Sequence, residues 1–269
     1  MEHIAFIGGG NMARSLIGGL LKAGTPAAEI RVADPVLEPL APLGVHATRD
    51  NAAAARGGAV VVLAVKPQVM EAACRAIAAE LAASAAAGRA PLVVSIAAGT
   101  PIAAIERWLG QPHAVVRCMP NTPALLGAGA TGMCANARVS AAQRASAERL
   151  LAAVGIVEWI DDEALMDAVT ALSGSGPAYF FLLIEQLSAA AAGLGLPAAS
   201  ARRLAVQTAL GAARMAAESG EDPALLRQRV TSPGGTTAAA LASFERDAFA
   251  AIVARALTAA RDRGRELAE

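Results

Sequence analysis

The stretch Ile4–Gly24, IAFIGGGNMARSLIGGLLKAG, decides the fold of this chain. Its first four residues are apolar and predict a short buried strand, and helical spacing of apolar and small residues begins at Asn11. Between the two, Gly8, Gly10 and Ala13 form a G-x-G-x-x-A turn, in which Gly10 lets backbone N–H groups approach a pyrophosphate. The N-terminus of the following helix adds partial positive charge. This order of strand, turn and helix predicts a dinucleotide-binding site.

A carboxylate follows the second predicted strand at the spacing expected of an acid that binds the adenine ribose. The strand-like run Glu29–Ala33 ends in Asp34. The alternative is a tight turn with an incidental surface aspartate, because glycine-rich turns are common. The combination of strand, glycine turn, helix, strand and acid favours the dinucleotide site.

The composition limits the class of protein. A length of 269 residues predicts two domains, and 55% of the residues are hydrophobic although only 3% are aromatic. Basic and acidic residues number 23 each and no basic block occurs, which argues against nucleic acid as a partner. Lys66–Pro67 or the glycines and proline of Gly174–Pro177 interrupt the apolar runs, so we expect none to reach the roughly 18 residues of a membrane span.

The cysteines and the amino terminus indicate the compartment. Cys74, Cys118 and Cys134 are odd in number and lack C-x-x-C spacing, so neither a disulfide framework nor a zinc site is expected. The three histidines are scattered over strand-like segments and are more typical of structural roles than of metal ligands. No basic region followed by an apolar core begins the chain, so no secretory signal is expected. We therefore predict a cytoplasmic protein that binds no metal.

Strands alternate with helices over roughly the first 160 residues, which predicts an α/β fold with a Rossmann-type, doubly wound parallel sheet. The predicted strands are Ile4–Ile7, Glu29–Ala33, Val45–Thr48, Ala59–Val65, Leu92–Ile96, Ala114–Cys118, Thr131–Asn136 and Ile156–Ile160. Beyond them only helices are predicted, over Glu163–Leu172, Ala178–Leu194, Pro197–Glu218, Pro223–Val230 and Thr237–Arg263. We predict a dinucleotide-binding domain in residues 1–161 and an all-α domain in residues 162–269.

One predicted helix is too apolar for a small monomeric domain. Only Tyr179, Glu185, Gln186 and Ser188 interrupt the apolar and small residues of Ala178–Ala192. A helix that is apolar around most of its circumference is buried on most sides. We therefore predict an oligomer with interlocked helical domains.

Four further stretches contain more Gly, Pro, Ser and Thr than packing requires: Val65–Gln68, Met119–Ala124, Ser173–Tyr179 and Thr231–Thr237. Helix capping and turn formation explain any one of them alone. The last resists this interpretation, because its glycines, N–H groups and hydroxyls at a helix N-terminus form a nest suited to a carboxylate. None of the four contains His, Asp or Glu. That absence disfavours hydrolysis and suits hydride transfer, in which a cofactor performs the difficult step.

Five motifs together resemble a known enzyme family. In order and spacing, IGGGNMA, AVKPQ, RCMPNTPA, ALSGSGPAY and VTSPGGTT are similar to the signatures of pyrroline-5-carboxylate reductase, from Ile4 to at least Leu241. The resemblance implies reduction of the cyclic imine to L-proline, the last step of proline biosynthesis, by NADPH or NADH. It also implies a Rossmann domain followed by a helical domain that dimerises and binds substrate, with dimers often assembled into larger rings.

The resemblance also implies roles for individual residues. Those implied for the cofactor are Gly8, Gly10, Asn11 and Met12 at the pyrophosphate, Asp34 and Asn51 at the adenine ribose, Ala64, Val65, Lys66 and Pro67 along the cofactor, and Met119 and Asn121 near the nicotinamide. Those implied for the substrate carboxylate are Ser232, Gly234, Gly235 and Thr236. Thr237, the expected catalytic residue, would hydrogen-bond the ring nitrogen.

No acidic side chain is required by this chemistry. If the imine is already protonated, the enzyme has only to orient the two rings and expel water. Lys66, one of two lysines in the chain, is an obvious candidate for proton transfer. We assign it instead a structural or cofactor-facing role, because the family gives it no proton-transfer role.

Asp34 departs from the family, which commonly has a small polar residue there and favours NADPH. A carboxylate would accept a hydrogen bond from a ribose hydroxyl and repel a 2′-phosphate, although Arg31 and Arg49 would offset the repulsion if they reached the site. We therefore expect NADH to be tolerated and leave the preference open.

Two other functions remain as alternatives. The first is another two-domain NAD(P)-dependent reductase, of imines or of β-hydroxyacids; the latter class needs a lysine in the helical part, and none follows Lys66. The second is a non-catalytic dinucleotide-binding protein, which would be expected to lose the polar groups of Thr231–Thr237.

Overall fold

A computed structural model of the chain describes residues 3–268. Over these residues the strands are β1 (His3–Ile7), β2 (Ile30–Ala33), β3 (His46–Thr48), β4 (Gly58–Leu63), β5 (Leu92–Ser95), β6 (Ala114–Met119), β7 (Gly129–Ala135) and β8 (Gly155–Trp159). The α-helices of the same part of the chain are α1 (Asn11–Lys22), α2 (Asn51–Ala55), α3 (Met70–Ala86), α4 (Ile102–Leu109), α5 (Ala141–Ala152), α6 (Met166–Val169), α7 (Gly176–Gly193), α8 (Ala198–Glu218), α9 (Pro223–Arg229), α10 (Thr236–Arg246) and α11 (Phe249–Ala268).

The strands form a single sheet in the order β3-β2-β1-β4-β5-β6-β7-β8. The first six run parallel, whereas β7 pairs antiparallel with β6 and β8 runs parallel to β7. The predicted α/β class and Rossmann-type sheet are confirmed, and the wholly parallel direction fails only at the last two strands. The connection from β6 to β7 contains only a short 3-10 turn, Thr122–Leu126. A parallel crossover needs about a dozen residues or more, usually with a helix.

The sheet is covered on both faces, which explains why its central strands are apolar throughout. On one face the fully buried Phe6 of β1 belongs to the same core as Leu16 and Ile17 of α1. On the other, the neighbouring residue Ile7 shares a core with Ile77 of α3 and Ile105 of α4. Successive strand residues point to opposite faces, so β1 contributes to both cores and its carboxyl end is held rigidly.

The chain divides into two compact units. The sheet unit comprises residues up to Ser175 together with those from Ala260 onward, and the helical unit comprises Gly176–Ala259. In the sequence, the alternation of strands and helices ends earlier, after β8, and only helices follow. The domain boundary after Asp161 stays a prediction.

The prediction of one last helix over Thr237–Arg263 is wrong. The helix is interrupted between α10 and α11, where Ala248 has a φ of 52°, in the left-handed region that side chains other than glycine seldom adopt. The rings of Phe244 and Phe249 lie on either side of the break with centroids 5.3 Å apart. Their packing stabilises a turn that has neither Gly nor Pro.

A continuous helical stretch begins at Glu163 and passes through Gly174–Pro177, where we expected an interruption. It includes α6 and a π-helical turn, Thr170–Gly174, before α7. By length and composition alone this stretch, Glu163–Gly193, could cross a membrane, since it has 31 residues and a mean hydropathy of 1.2. One such helix among the described residues is a weak indication, because helices of soluble proteins meet the same criterion.

Candidate functional site

Gly8 joins the carboxyl ends of three strands in the sheet unit. Its N–H donates to the Ala33 carbonyl at 2.8 Å, and the N–H of Ala64 donates to the Ile7 carbonyl at 2.8 Å. Gly8 has a φ of 103°, and a Cβ there would lie 2.6 Å from the Ala64 carbonyl oxygen. Only glycine therefore lets the turn after β1 lie against the end of β4.

Gly10 is the N-cap of α1, is exposed, and has open space where its side chain would be. No side chain caps the helix, and the first bond of its ladder is from the Arg14 N–H to the Gly10 carbonyl. The N–H groups of Asn11 and Met12 precede that ladder and point towards the helix N-terminus. Free amides and an uncovered glycine at one helix end form a site for an anion.

Asp34 is fixed by backbone amides at the end of β2. Its Oδ2 accepts from the Gly9 N–H at 2.7 Å and its Oδ1 from the Val36 N–H at 2.8 Å. Its own N–H donates to the carbonyl of Thr48 at 3.0 Å, which brings the start of α2, and hence Asn51, to this corner of the sheet. The carboxylate is held beside the glycine turn with its remaining lone pairs available as acceptors.

Arg31 and Arg49, which would offset the charge of Asp34 if they reached it, both donate to backbone carbonyls. Arg31 donates through Nη1 to the Arg56 carbonyl at 3.2 Å. Arg49 donates through Nε to the Pro35 carbonyl at 3.2 Å, one residue beyond Asp34. Arg49 is therefore the nearer of the two to the ribose end of the predicted site.

The end of β4 contributes the next group of predicted residues. Ala64 and Val65 are partly buried, while Lys66 and Pro67 are exposed. Lys66 is the N-cap of a 3-10 turn, Pro67–Val69, that leads into α3. This position at the strand end agrees with a lining role.

Met119 is the last residue of β6, and Asn121 comes two residues after it, at the carboxyl end of that strand. Met119 is partly buried, and Asn121 is only 9% exposed. The Oδ1 of Asn121 accepts from the Ala130 N–H at 2.9 Å, and its Nδ2 donates to the Ser173 carbonyl at 3.0 Å. No motif in the sequence indicated that this side-chain amide bonds to the backbone through both its oxygen and its nitrogen.

The buried Arg117 is the centre of an ion cluster at β6 that the sequence did not predict. Arg117 of β6 is 6% exposed; its Nη1 lies 3.0 Å from Glu163 and its Nη2 3.7 Å from Asp167. The Glu163 carboxylate also accepts from the Ile102 N–H at 2.8 Å, at the start of α4. Buried charges need partners of this kind, so the cluster fixes the end of β6 relative to the helices around it.

The cysteines of the sheet unit are not nucleophiles. Cys74, Cys118 and Cys134 are free and buried. Burial raises the pKa of the Cys74 thiol to about 12 and also raises the pKa values of Cys118 and Cys134. At neutral pH these groups stay as thiols, which are poor nucleophiles and poor metal ligands.

The residues predicted for the substrate lie together in the helical unit. Ser232 is exposed, Gly234 has a φ of 71°, and Gly235 is the N-cap of α10 with no side-chain cap. The first bond of the ladder runs from Ala239 N–H to the Gly235 carbonyl, so the N–H groups of Thr236 and Thr237 precede it. The sequence predicts a carboxylate-binding nest at this helix start, and the nest stays a prediction.

Thr237 is the second residue of α10, not its first, and Gly235 occupies the N-cap. Thr237 is therefore not the N-cap of this helix. Its partly buried hydroxyl has no capping duty and is available for another partner.

Comparisons with known proteins give similarity over the whole chain. Residues 163–267 match the family model described as pyrroline-5-carboxylate reductase dimerisation, and residues 3–99 match that described as NADP oxidoreductase, coenzyme F420-dependent. The pyrroline-5-carboxylate reductase of Pseudomonas aeruginosa is 57% identical over 99% of this chain and 97% of its own length.

Two solved structures agree with the fold. The pyrroline-5-carboxylate reductase of Coxiella burnetii superposes with a TM-score of 0.94 at 44% identity, covering 100% of this chain and 99% of its own. The pyrroline carboxylate reductase of Plasmodium falciparum, solved with NADP bound, has a TM-score of 0.86 at 29% identity, with coverage of 100% and 98%.

Proposed function

The chain belongs to the pyrroline-5-carboxylate reductase family and reduces pyrroline-5-carboxylate with NAD(P)H, and from this premise we propose which of its residues bind each molecule. The residues of the sheet edge that we assign to the cofactor are Gly8, Gly10, Asn11, Met12, Asp34, Asn51, Ala64, Val65, Lys66, Pro67, Met119 and Asn121. Those that we assign to the substrate are Ser232, Gly234, Gly235, Thr236 and Thr237.

The open N-terminus of α1 is the observation that carries the cofactor site. Gly10 leaves the helix end uncovered, and the amides of Asn11 and Met12 supply donors for the pyrophosphate. Asp34, fixed by two backbone amides, supplies an acceptor for ribose hydroxyls. The donor set and the open glycine fit a dinucleotide.

The substrate has one anionic group and one ring nitrogen, and Ser232–Thr237 has partners for both. The start of α10 has no side-chain cap, and the N–H groups of Thr236 and Thr237 precede its hydrogen-bond ladder, where they would hold a carboxylate. Thr237 has a hydroxyl free of capping, which would accept from or donate to the ring nitrogen. Two anchors on a small ring fix which face and which carbon it presents.

The chemistry needs orientation more than acid–base catalysis. NAD(P)H, when bound, supplies the hydride. The residues of this chain bind the carboxylate, hold the nitrogen at the Thr237 hydroxyl and exclude water from the imine carbon. The substrate segment Thr231–Thr237 contains no His, Asp or Glu that could protonate the ring nitrogen. The proton on that nitrogen therefore arrives with the substrate.

We infer that NADH is accepted alongside NADPH. Asp34 would repel a 2′-phosphate. Arg49, which donates to the carbonyl of Pro35 next to Asp34, is the cation that would reduce that repulsion. The balance of these two charges sets the preference.

The family match over 163–267 supports a homo-oligomer, and we propose that it is built from dimers through the helical unit. Large side chains of α7 and α8 are exposed in a single chain, including Phe180 at 64%, Phe181 at 65% and Leu204 at 58%. A surface of this kind is typical of a subunit interface. We also retain a boundary after Asp161 between the dinucleotide-binding and dimerisation domains.

We propose a cytoplasmic location, with neither nucleic acid nor a membrane as a partner. Three buried free cysteines favour a reducing, cytoplasmic location. Balanced charge supports the absence of nucleic acid as a partner. The apolar helix α7 is exposed in a single chain, and dimerisation would cover it. We therefore propose that it packs against a second subunit and does not span a membrane.

The test is absorbance at the NAD(P)H band with pyrroline-5-carboxylate as acceptor, run with each cofactor. We expect oxidation of both, and formation of L-proline in equal amount. No oxidation with either cofactor would contradict the function. Gly10→Val places a side chain over the start of α1, and activity that survives this substitution would contradict the cofactor site.

A further inference from the structure

Pro177 removes one backbone donor just after the π-helical turn Thr170–Gly174. In a regular α-helix the carbonyl of Ser173 would accept from the N–H of residue 177, but Pro177 has none. A proline ring also crowds the carbonyl four residues before it, which widens the helix at this point. The bond from Ser175 N–H to the Thr170 carbonyl, at 2.8 Å, spans five residues as a π-turn requires.

Asn121 supplies the missing donor. Its Nδ2 donates to the Ser173 carbonyl at 3.0 Å, and its Oδ1 accepts from the Ala130 N–H of β7 at 2.9 Å. The side chain is 9% exposed, so water cannot easily replace either bond. A single amide therefore ties the π-helical turn to the edge of the sheet.

The turn determines where the Met119 side chain lies. A Cβ at Gly174 would collide with the Met119 Cε, so the methyl group rests directly over Gly174. Met119 as a whole residue is partly exposed. A flexible methionine is thus held by the backbone of the turn beneath it.

We propose that Asn121 is a positioning residue for hydride transfer, which holds the π-helical turn against the sheet so that the turn fixes the Met119 side chain beneath the nicotinamide. The inference rests on the proposed function, in which Met119 lines the nicotinamide. In this role the Asn121 amide does not itself touch the cofactor, because it is already bonded to Ser173 and Ala130.

The test compares four full-length proteins: wild type, Asn121→Ala, Met119→Ala and the double variant. The complex with NADH is mixed with pyrroline-5-carboxylate in stopped flow, and the single-turnover loss of NADH absorbance gives the rate of hydride transfer. Cofactor Kd is measured by NADH fluorescence and stability by thermal unfolding.

We expect Asn121→Ala to slow hydride transfer about tenfold, the equivalent of one hydrogen bond, while the Kd for NADH changes less than about threefold. In the Met119→Ala background the same substitution should change the rate less than about twofold, because the side chain that it misplaces is gone. Thermal stability should fall equally in both backgrounds.

Asn136→Ala is the matched control. The side-chain amide of Asn136 also links β6 to β7, at the end of these strands opposite to Asn121. It accepts from Val115 N–H at 3.2 Å and donates to the His113 carbonyl at 2.9 Å. Its loss should lower stability by a similar amount and leave the rate of hydride transfer within about twofold of wild type.

Three results would overturn the inference: equal slowing by Asn121→Ala in both backgrounds, equal slowing by Asn136→Ala, or a raised Kd for NADH with an unchanged rate. If Asn121→Ala does not fold, Asn121→Asp keeps the acceptor for Ala130, loses the donor for Ser173, and is judged by the same comparisons. A wild-type protein that oxidises no cofactor would instead refute the proposed function.

Discussion

Replacing Thr237 by Ala should leave the protein as stable as before and damage its catalysis. The stability follows from the structure of α10. Gly235 is the N-cap and no side chain caps the helix, so the Thr237 hydroxyl contributes no capping bond that the substitution could remove. Ala is a better helix former than Thr by up to roughly 0.7 kcal/mol, so the free energy of unfolding should stay equal or rise slightly.

The catalytic loss follows from the proposed bond to the ring nitrogen. A hydrogen bond of about 1–3 kcal/mol in the transition state corresponds to a ten- to hundredfold fall in kcat/KM. Activity should persist at that lower level, because the hydride comes from the cofactor. The affinity for NADH should be unchanged, since the cofactor residues lie in the sheet unit.

Thr231→Ala provides a control with the opposite signature. Thr231 belongs to the same segment, but its hydroxyl donates to the Arg227 carbonyl at 2.6 Å, at the end of α9. Losing that bond should cost about 1 kcal/mol, or roughly 2–4 °C in Tm, with kcat/KM close to wild type. Steady-state kinetics, NADH binding and thermal unfolding on both variants make the comparison. A lower Tm with unchanged kcat/KM for Thr237→Ala would refute the reasoning.

Three further outcomes are expected. Asp34→Ser should shift the ratio of kcat/KM values towards NADPH by about 1–3 kcal/mol, since it removes a negative charge beside the 2′-phosphate; an unchanged ratio would mean that Asp34 does not face it. Light scattering at low concentration should detect a dimer or larger assembly, and an active monomer would contradict the proposed interface. Burial lowers the pKa of His113 more than the nearby Glu106 raises it, so the unfolded chain binds more protons and Tm should decline as pH falls below about 6.5. His113→Gln should make that decline shallower than in wild type, and an equal decline between pH 7.5 and 5.5 would count against this assignment.

Strand positions were predictable from the sequence because most strands are short apolar runs bounded by turn residues. All eight predicted strands correspond to observed ones, with ends differing by one or two residues in most cases. Their direction was harder to predict, because apolar periodicity is the same in parallel and antiparallel strands. The signal for the reversal at β7 was the short connection after Met119, which is occupied by Thr122–Leu126 and has no crossover helix.

The features that escaped prediction depend on side-chain contacts that no local sequence signal marks. The break at Ala248 is stabilised by two phenylalanine rings and has no Gly or Pro to mark it. The commitment of Asn121 depends on Ser173, 52 residues further along the chain. Pro177 was a usable signal: a proline inside an apolar helix leaves a carbonyl unpaired, and that carbonyl needs a donor from elsewhere.

The return of residues 260–268 to the sheet unit has a consequence for the order of folding. Arg265, on α11, lies 3.9 Å from Asp167, the carboxylate that also faces the buried Arg117. During synthesis the sheet unit is followed by the whole helical unit before these residues emerge. Domains generally fold from the N-terminus as they are made, yet here the first unit stays incomplete until the second has been translated. A ribosome-bound chain that ends near Ser175 should therefore hold its sheet with one partner of the Asp167 charge missing, and should be more open to proteolysis around α6 than the finished protein.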